Sequence, residues 1–256
     1  MPFCGGQTLA LLAPREIIEG RSQFFEKHKG QNGRNSGVVN VTRTRWIWLV
    51  LFGINALFFS WYTSFGGPLT GDEVEHYMGL MESRQPAPPP ERIAEFRAFM
   101  EEDTGDDFVM INLIDMYDTP LQIEGVEPGE TSDEVMAKYM EFMIPQLFRR
   151  ACHPVFYGQA ANTAMDLMNA PGMEAWTTGA GMRYRSRRDM LEIASNPAFL
   201  GSHDFKIAAM RKTIAFPIDP WLQLGDPRFV LLLLLSLIGC GLSWRVAAQE
   251  SRKGSS

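Results

Sequence analysis

Between residues 46 and 71 no side chain is charged, and residues 46–65 are almost wholly apolar, with Gly53 and Asn55 as single interruptions. A helix rises about 1.5 Å per residue, so roughly 20 apolar residues match a bilayer core of about 30 Å. Trp46, Trp48, Trp61 and Tyr62 stand at the two ends of the block, where amphipathic rings favour the headgroup level. The pattern predicts a transmembrane helix over residues 45–65. A cleaved signal peptide fits less well: its apolar region would begin 45 residues in, and no small-residue cleavage pattern follows in "SWYTSFGGPLTGDE".

A second apolar block, "RFVLLLLLSLIGCGLSWR", holds 16 uncharged residues, 229–244, between Arg228 and Arg245. It has no polar face, unlike a helix lying on a soluble core. Arginine stems can snorkel and lengthen the span. This predicts a second membrane helix over residues 228–246. Ser236, Gly239, Cys240 and Ser243 offer small residues for close helix packing, which makes membrane-protein partners an expectation for this span.

Charge sets the orientation. Lys27, Lys29, Arg34, Arg43 and Arg45 precede the first span, and only Arg84 follows closely. By the positive-inside rule both termini face the cytoplasm, and the middle faces the periplasm or exterior of a cytoplasmic membrane. Residues 1–44 read as a flexible cytoplasmic tail, 66–106 as a helical linker, and 247–256 as a second tail. The partition of charge agrees: residues 66–227 carry 26 acidic and 13 basic side chains. Three cysteines, at 4, 152 and 240, lie in separate regions, so no disulfide framework is expected.

The middle alternates period and punctuation. "ERIAEFRAFMEEDTG" places Ile93, Phe96 and Phe99 on one helical face, with Gly105 as its stop. "DFVMINLIDMY" (107–117) is apolar on both alternations, as in a doubly buried strand. "TSDEVMAKYMEFMIPQLFRRA" (131–151) opens on a capping box, Thr131 with Glu134, and runs Val135, Tyr139, Met143, Leu147 along one stripe. "CHPVFYGQA" (152–160) and "GMRYRS" (181–186) read as strands, with "GAG" at 179–181 as a turn. Ser186 caps a helix, Asn196-Pro197 interrupts it, a further helical piece follows, and "TIAFPID" (213–219) closes as a fourth strand. The order is β-α-β-β-α-β, an α+β ferredoxin-like pattern over residues 107–220. Helices cover one sheet face; the other needs a cover, and a homodimer joined through the sheet face supplies one.

Residues 107–219 also resemble a bacterial family of unknown function with the dimeric α/β-barrel fold. The resemblance rests on "VMINLI" in the first strand, Tyr139 and Pro145 in the first helix, "YRS" before the second, "NPAFLGSH", and "AAMRKTIA" at the end. The chain departs from that family where "RACH" replaces a usual glycine pair, where Arg185 replaces a usual proline, and in the long loop "ANTAMDLMNAPGMEAWTTGAG". The superfamily includes cofactor-free monooxygenases, isomerases and lyases alongside proteins without known activity, so the resemblance implies a fold rather than a reaction.

Six residues stand out as pocket candidates. His153, Val155 and Tyr157 share one face of a regular strand, giving an acid or base and an orienting phenol; the plainer reading is a strand-end histidine at the surface. Arg183 and Arg185 share a face of the next strand and suit a carboxylate, or else salt bridges within an acidic domain. Asn112 sits in an apolar strand, where its amide must be hydrogen-bonded, either structurally or to a ligand. His203, beside Asp204, suits a helix cap or dimer contact, since neighbours on a helix do not face each other. No cofactor is expected, and no metal: there is no Walker loop, dinucleotide fingerprint, HExxH or Cys/His cluster. The acidic middle excludes nucleic acid as a partner. Fifteen methionines read as core filler. The reading is a membrane-anchored α/β-barrel domain that dimerises and holds a small molecule or acts structurally. The alternatives are a cofactor-free enzyme and a subunit of a membrane assembly.

Overall fold

The computed structural model describes residues 41–84 and 88–255. The tail expected over residues 1–44 lies, as far as residue 40, outside the described residues. The chain divides into two compact units, Val50–Ile238 and the described parts of Met1–Leu49 with Gly239–Ser256.

The larger unit holds the sheet. Its strands are β1 (Phe108–Met116), β2 (His153–Gln159), β3 (Thr178–Tyr184) and β4 (Met210–Ile218). They run antiparallel in the order β2-β3-β1-β4. With α4 (Ser132–Arg149) between β1 and β2, and α5 (Arg187–Ala194) and α6 (Pro197–Ala209) between β3 and β4, this is the ferredoxin-like arrangement. The fold class is therefore α+β with a four-stranded antiparallel sheet. The two proline-bearing strands, β2 and β4, are the edges, where a missing N–H costs no ladder bond.

Local signals set the helix ends. Thr131 accepts from the Glu134 amide at 3.3 Å while Glu134 accepts from the Thr131 amide at 2.8 Å, so α4 starts where its capping box places it. It ends in a Schellman turn: the Cys152 amide donates to Leu147 at 2.9 Å and the Ala151 amide to Phe148 at 3.1 Å. Ala151 takes the left-handed position with φ 54°, where glycine is usual. Ser186 caps α5, and Asn196 caps α6 with Pro197 in its first turn.

Two strand boundaries differ from expectation. β3 begins at Thr178, so Gly179-Ala180-Gly181, read from sequence as a turn, lies inside the strand. The reason is packing: the Phe156 ring lies over Gly181, and a Cβ there would stand 2.4 Å from it. Glycine composition looked like a turn because the neighbouring strand that needs the space is remote in sequence. β4 likewise begins at Met210, ahead of residue 213.

The segment 66–106 forms α2 (Gly71–Glu82) and α3 (Pro90–Glu101). Val74, Met78 and Met100 are buried with Leu191 of α5, so these helices share core with the sheet domain. Gly105, with φ 84°, meets the backbone of Gly67 so closely that a Cβ would stand 2.5 Å from its carbonyl carbon.

Helices α1 (Val41–Tyr62) and α7 (Pro227–Lys253) run through the unit boundaries. Both are long and apolar enough to cross a membrane. Their apolar side chains stay largely uncovered: Phe52 is 70% exposed, Leu57 75% and Leu237 71%. In the smaller unit Gly239 is buried against the Trp48 indole, and a Cβ would stand 2.7 Å from that ring. Of the four small residues expected to favour close helix packing, Gly239 thus meets the chain's own α1, while Cys240 stays exposed.

Candidate functional site

Side chains alternate across a strand, so register decides which residues meet. Asn112 pairs with Ala180, and Ala180 with Tyr157. This row faces α4 and α6, and between them lies a cavity of 380 Å³. Six methionines line it: Met116, Met136, Met140, Met143, Met182 and Met210. Its polar groups are Asn112, Tyr139, Tyr157, Tyr184, Thr178, Asp133 and Lys206. Thioether chains adapt to varied apolar shapes, so the lining suits a ligand body without fixing its outline.

Lys206 is the only cation of the lining. It enters from α6, with its ammonium 5.7 Å from the centre of the Tyr139 ring. It makes no ion pair among the described residues. Burial pushes its pKa down, because the charged form loses hydration. Burial pushes the Tyr139 phenol up to about 12 and raises that of Tyr184 as well. Both phenols are protonated at neutral pH and available as donors. The Asn112 side-chain amide already donates to the Met110 carbonyl at 2.9 Å.

The expectation of one face for His153, Val155 and Tyr157 fails at a β-bulge. His153 pairs with Arg183 and Pro154 with Met182, but Phe156 pairs with Gly181 and Tyr157 with Ala180. The extra residue reverses the alternation between Pro154 and Phe156. Tyr157 therefore joins the cavity, and His153 lies with Arg183 on the other face.

There His153, Arg183 and Arg185 gather at the end of α1. The Tyr62 hydroxyl lies 2.6 Å from His153 Nε2. The Arg183 guanidinium stacks on the Tyr62 ring at 3.8 Å and is fully buried. It donates to Asp107 at 2.7 Å, to the Ala151 carbonyl at 2.9 Å and to the Tyr62 carbonyl at 3.1 Å. Arg185 makes a bidentate pair with Asp189, at 2.7 and 2.8 Å, and donates to the Trp61 carbonyl at 3.1 Å. Carbonyls in the last turn of a helix lack internal partners, and these two arginines supply them. Arg228 closes the group, 2.6 Å from Asp226 and 3.3 Å from Asp107.

His203 is elsewhere again. Its ring is 5.0 Å from Phe199 and 6.1 Å from Tyr139, and its Nδ1 is buried without a partner. Burial lowers its pKa. Cys152 is a free thiol that burial pushes up to about 11, so it is no ready nucleophile. Among the described residues no group of three or more His, Cys, Asp or Glu is placed to hold a metal ion.

The structure thus brings Asn112 and Tyr157 together, and places the other four candidates outside that cavity. Sequence reasoning missed Lys206 and the methionine lining. A signal for the lysine exists: Phe199, His203, Lys206 and Met210 recur at helical spacing, so a cation stands in an apolar stripe.

No protein-family model matches the chain. No curated protein matches it either. Solved structures do show similarity. A protein of unknown function from Rhodopseudomonas palustris is 24% identical, with a TM-score of 0.42, over 53% of this chain and 95% of that one. SnoaB, a cofactor-independent oxygenase from Streptomyces nogalater, is 12% identical, with a TM-score of 0.29, over 47% and 99%. A dimeric protein of unknown function and ferredoxin-like fold from Bacteroides fragilis is 14% identical, with a TM-score of 0.29, over 44% and 96%.

Proposed function

We propose that this chain is a membrane-anchored ferredoxin-like protein that binds an apolar small molecule bearing an acidic group. The observation that carries the reading is Lys206: an ammonium without an ion pair among the described residues, in a 380 Å³ cavity lined mainly by methionine, phenol and amide groups, with Asp133 as its one carboxylate. A half-buried cation without an ion pair is costly, and an anionic ligand group would offset that cost. The methionines would take the ligand's apolar body, and Tyr157 and Asn112 would orient it.

In this reading α1 and α7 cross a cytoplasmic membrane, both termini are cytoplasmic, and the sheet domain is periplasmic or exterior. The basic residues ahead of α1 and the exposed apolar surfaces of both helices support it. The domain pairs with a second copy through the open sheet face. Phe156, Gly181, Ile111 and Phe216 form a row across that face, with Phe156 and Phe216 about half exposed. Gly158 and Gly179 leave the next row low, so another sheet can approach closely.

The test is titration of the detergent-solubilised full chain with water-soluble aromatic and medium-chain carboxylates and with their methyl esters. The acid should bind about tenfold more tightly than its ester, and Lys206→Met should abolish the preference. No binding by any acid, or equal binding of acid and ester by the native chain, sinks the proposal.

A second reading is a cofactor-free enzyme, favoured by the same lysine. A lowered pKa leaves more of it as free amine, the form that can take a proton from a substrate. Turnover of a bound acid, measured as product formed or oxygen consumed and lost in Lys206→Met, would establish it. Binding without turnover leaves the first reading in place.

A further inference from the structure

A groove of 510 Å³, separate from the methionine cavity, borders the end of α1. On one side stand Ser60 and residues 63–66; on the other stand Arg149, Arg150, Arg185 and Arg188. In a stretch where acidic side chains outnumber basic ones two to one, four of the 13 basic residues meet in one place. Three of them are held in position. Arg185 is fixed by Asp189, Arg188 reaches Glu73 at 2.6 Å and the Gly67 carbonyl at 3.2 Å, and Arg150 reaches Glu192 at 3.1 Å. The fourth, Arg149, is exposed and makes no ion pair among the described residues. Asp189, Glu192 and Glu73 each hold one of those three arginines, so Arg149 is the excess positive charge left for a small anion. The Thr63 hydroxyl, also in the lining, is buried without a hydrogen-bond partner.

We infer that this groove binds a phosphate oxyanion, and that its source is the headgroup of an anionic phospholipid. The inference rests on the reading of α1 as a membrane span. In that reading Tyr62 ends the span, so the groove lies at headgroup level, where arginines and anionic lipids attract. Trp61 and Phe65 beside it are 45% and 71% exposed, as rings at a membrane interface are. The planar guanidinium of Arg149 can match two phosphate oxygens at a time, and the Thr63 hydroxyl would give one oxygen a further donor. The pre-set arginines lose little freedom on binding, and Arg149 brings the uncommitted charge.

The test uses the detergent-solubilised full chain and three probes: short-chain phosphatidylglycerol, short-chain phosphatidylcholine and inorganic phosphate, with binding read by native mass spectrometry. Phosphatidylglycerol should bind about tenfold more tightly than phosphatidylcholine, with a similar loss in Arg149→Glu and retention in Arg149→Lys. Arg149 is exposed and unpaired, so both variants should keep the native melting temperature. Inorganic phosphate binding as tightly as the lipid, and equally lost in Arg149→Glu, supports the oxyanion site and assigns it to the free ion. Equal binding of the two lipids, or binding unchanged in Arg149→Glu, overturns the site. Alkaline extraction of membranes from cells making the chain tests the span separately. Release into the soluble fraction would sink the membrane reading whatever the titration shows.

Discussion

The Tyr62 hydroxyl and His153 Nε2 lie 2.6 Å apart, across 91 residues of chain. This hydrogen bond ties the last turn of the first apolar helix to the first residue of an edge strand. Tyr62 is 2% exposed and His153 half-buried, so the phenol is the group left without water if its partner is removed. Tyr62→Phe is expected to cost about 1–2 kcal/mol of stability, read by denaturant unfolding in detergent. The double variant Tyr62→Phe/His153→Phe should recover part of that loss, because no half-buried imidazole nitrogen is then left without its partner.

Arg183 stands beside this pair and carries more. Removing its guanidinium strands two backbone carbonyls and takes one partner from Asp107. Arg183→Met is expected to destabilise by about 3–5 kcal/mol. Because Arg183 lies on the sheet face opposite the cavity, any acid that binds the native chain should bind the folded variant with unchanged affinity. A selective loss of binding without loss of stability would contradict this placement.

Lys206 should show the reverse balance. Its folded pKa is lowered, so the folded state binds fewer protons than the unfolded one. Stability therefore rises with pH from the lowered value toward the usual lysine range near ~10.4. Lys206→Met is expected to raise the melting temperature at neutral pH. The gain should shrink as pH climbs through that window, measured by melting curves from pH 7 to 10.5. A gain independent of pH would point to packing rather than charge.

At Ala151 the backbone sets the constraint. A β-branched residue with φ near 54° clashes with its own peptide, and the site is buried. Ala151→Val is expected to cost about 2 kcal/mol or more, while Ala151→Gly should change stability by less than about 1 kcal/mol. Both follow from urea midpoints of the two variants against the native chain.

Much of the architecture could be read from residues because its signals are local. Thr131 with Glu134, Ser186 before α5, and Asn196-Pro197 before α6 each satisfy helix-end donors within a few residues, so their meaning travels with the sequence. The two apolar helices were equally plain, since length and absence of charge need no tertiary partner. The glycines at 179 and 181 were misread because the ring that lies over Gly181 belongs to another strand. For Arg183 and Arg185 the residues leave a carboxylate site and salt bridges both open, because the carbonyls they satisfy, Tyr62 and Trp61, are more than a hundred residues away; the ion pairs to Asp107 and Asp189 are what the structure forms. Lys206 stands in the Phe199–Met210 stripe, yet a single lysine at helical spacing is more often a solvated residue, so the residues alone do not single it out.

The bulge at Val155 makes one strand answer to two places at once. His153, bonded to the end of α1, and Tyr157, set into the methionine cavity, are four positions apart. In an unbroken strand that spacing would put both on the same side. Deleting one residue here would force a choice: hold His153 in register and Tyr157 swings out of the cavity, or hold Tyr157 and the tie to Tyr62 is lost. Strand β2 can therefore drift in composition at Val155 far more freely than it can change in length, and an insertion or deletion between positions 153 and 157 is the kind of variation this chain can least absorb.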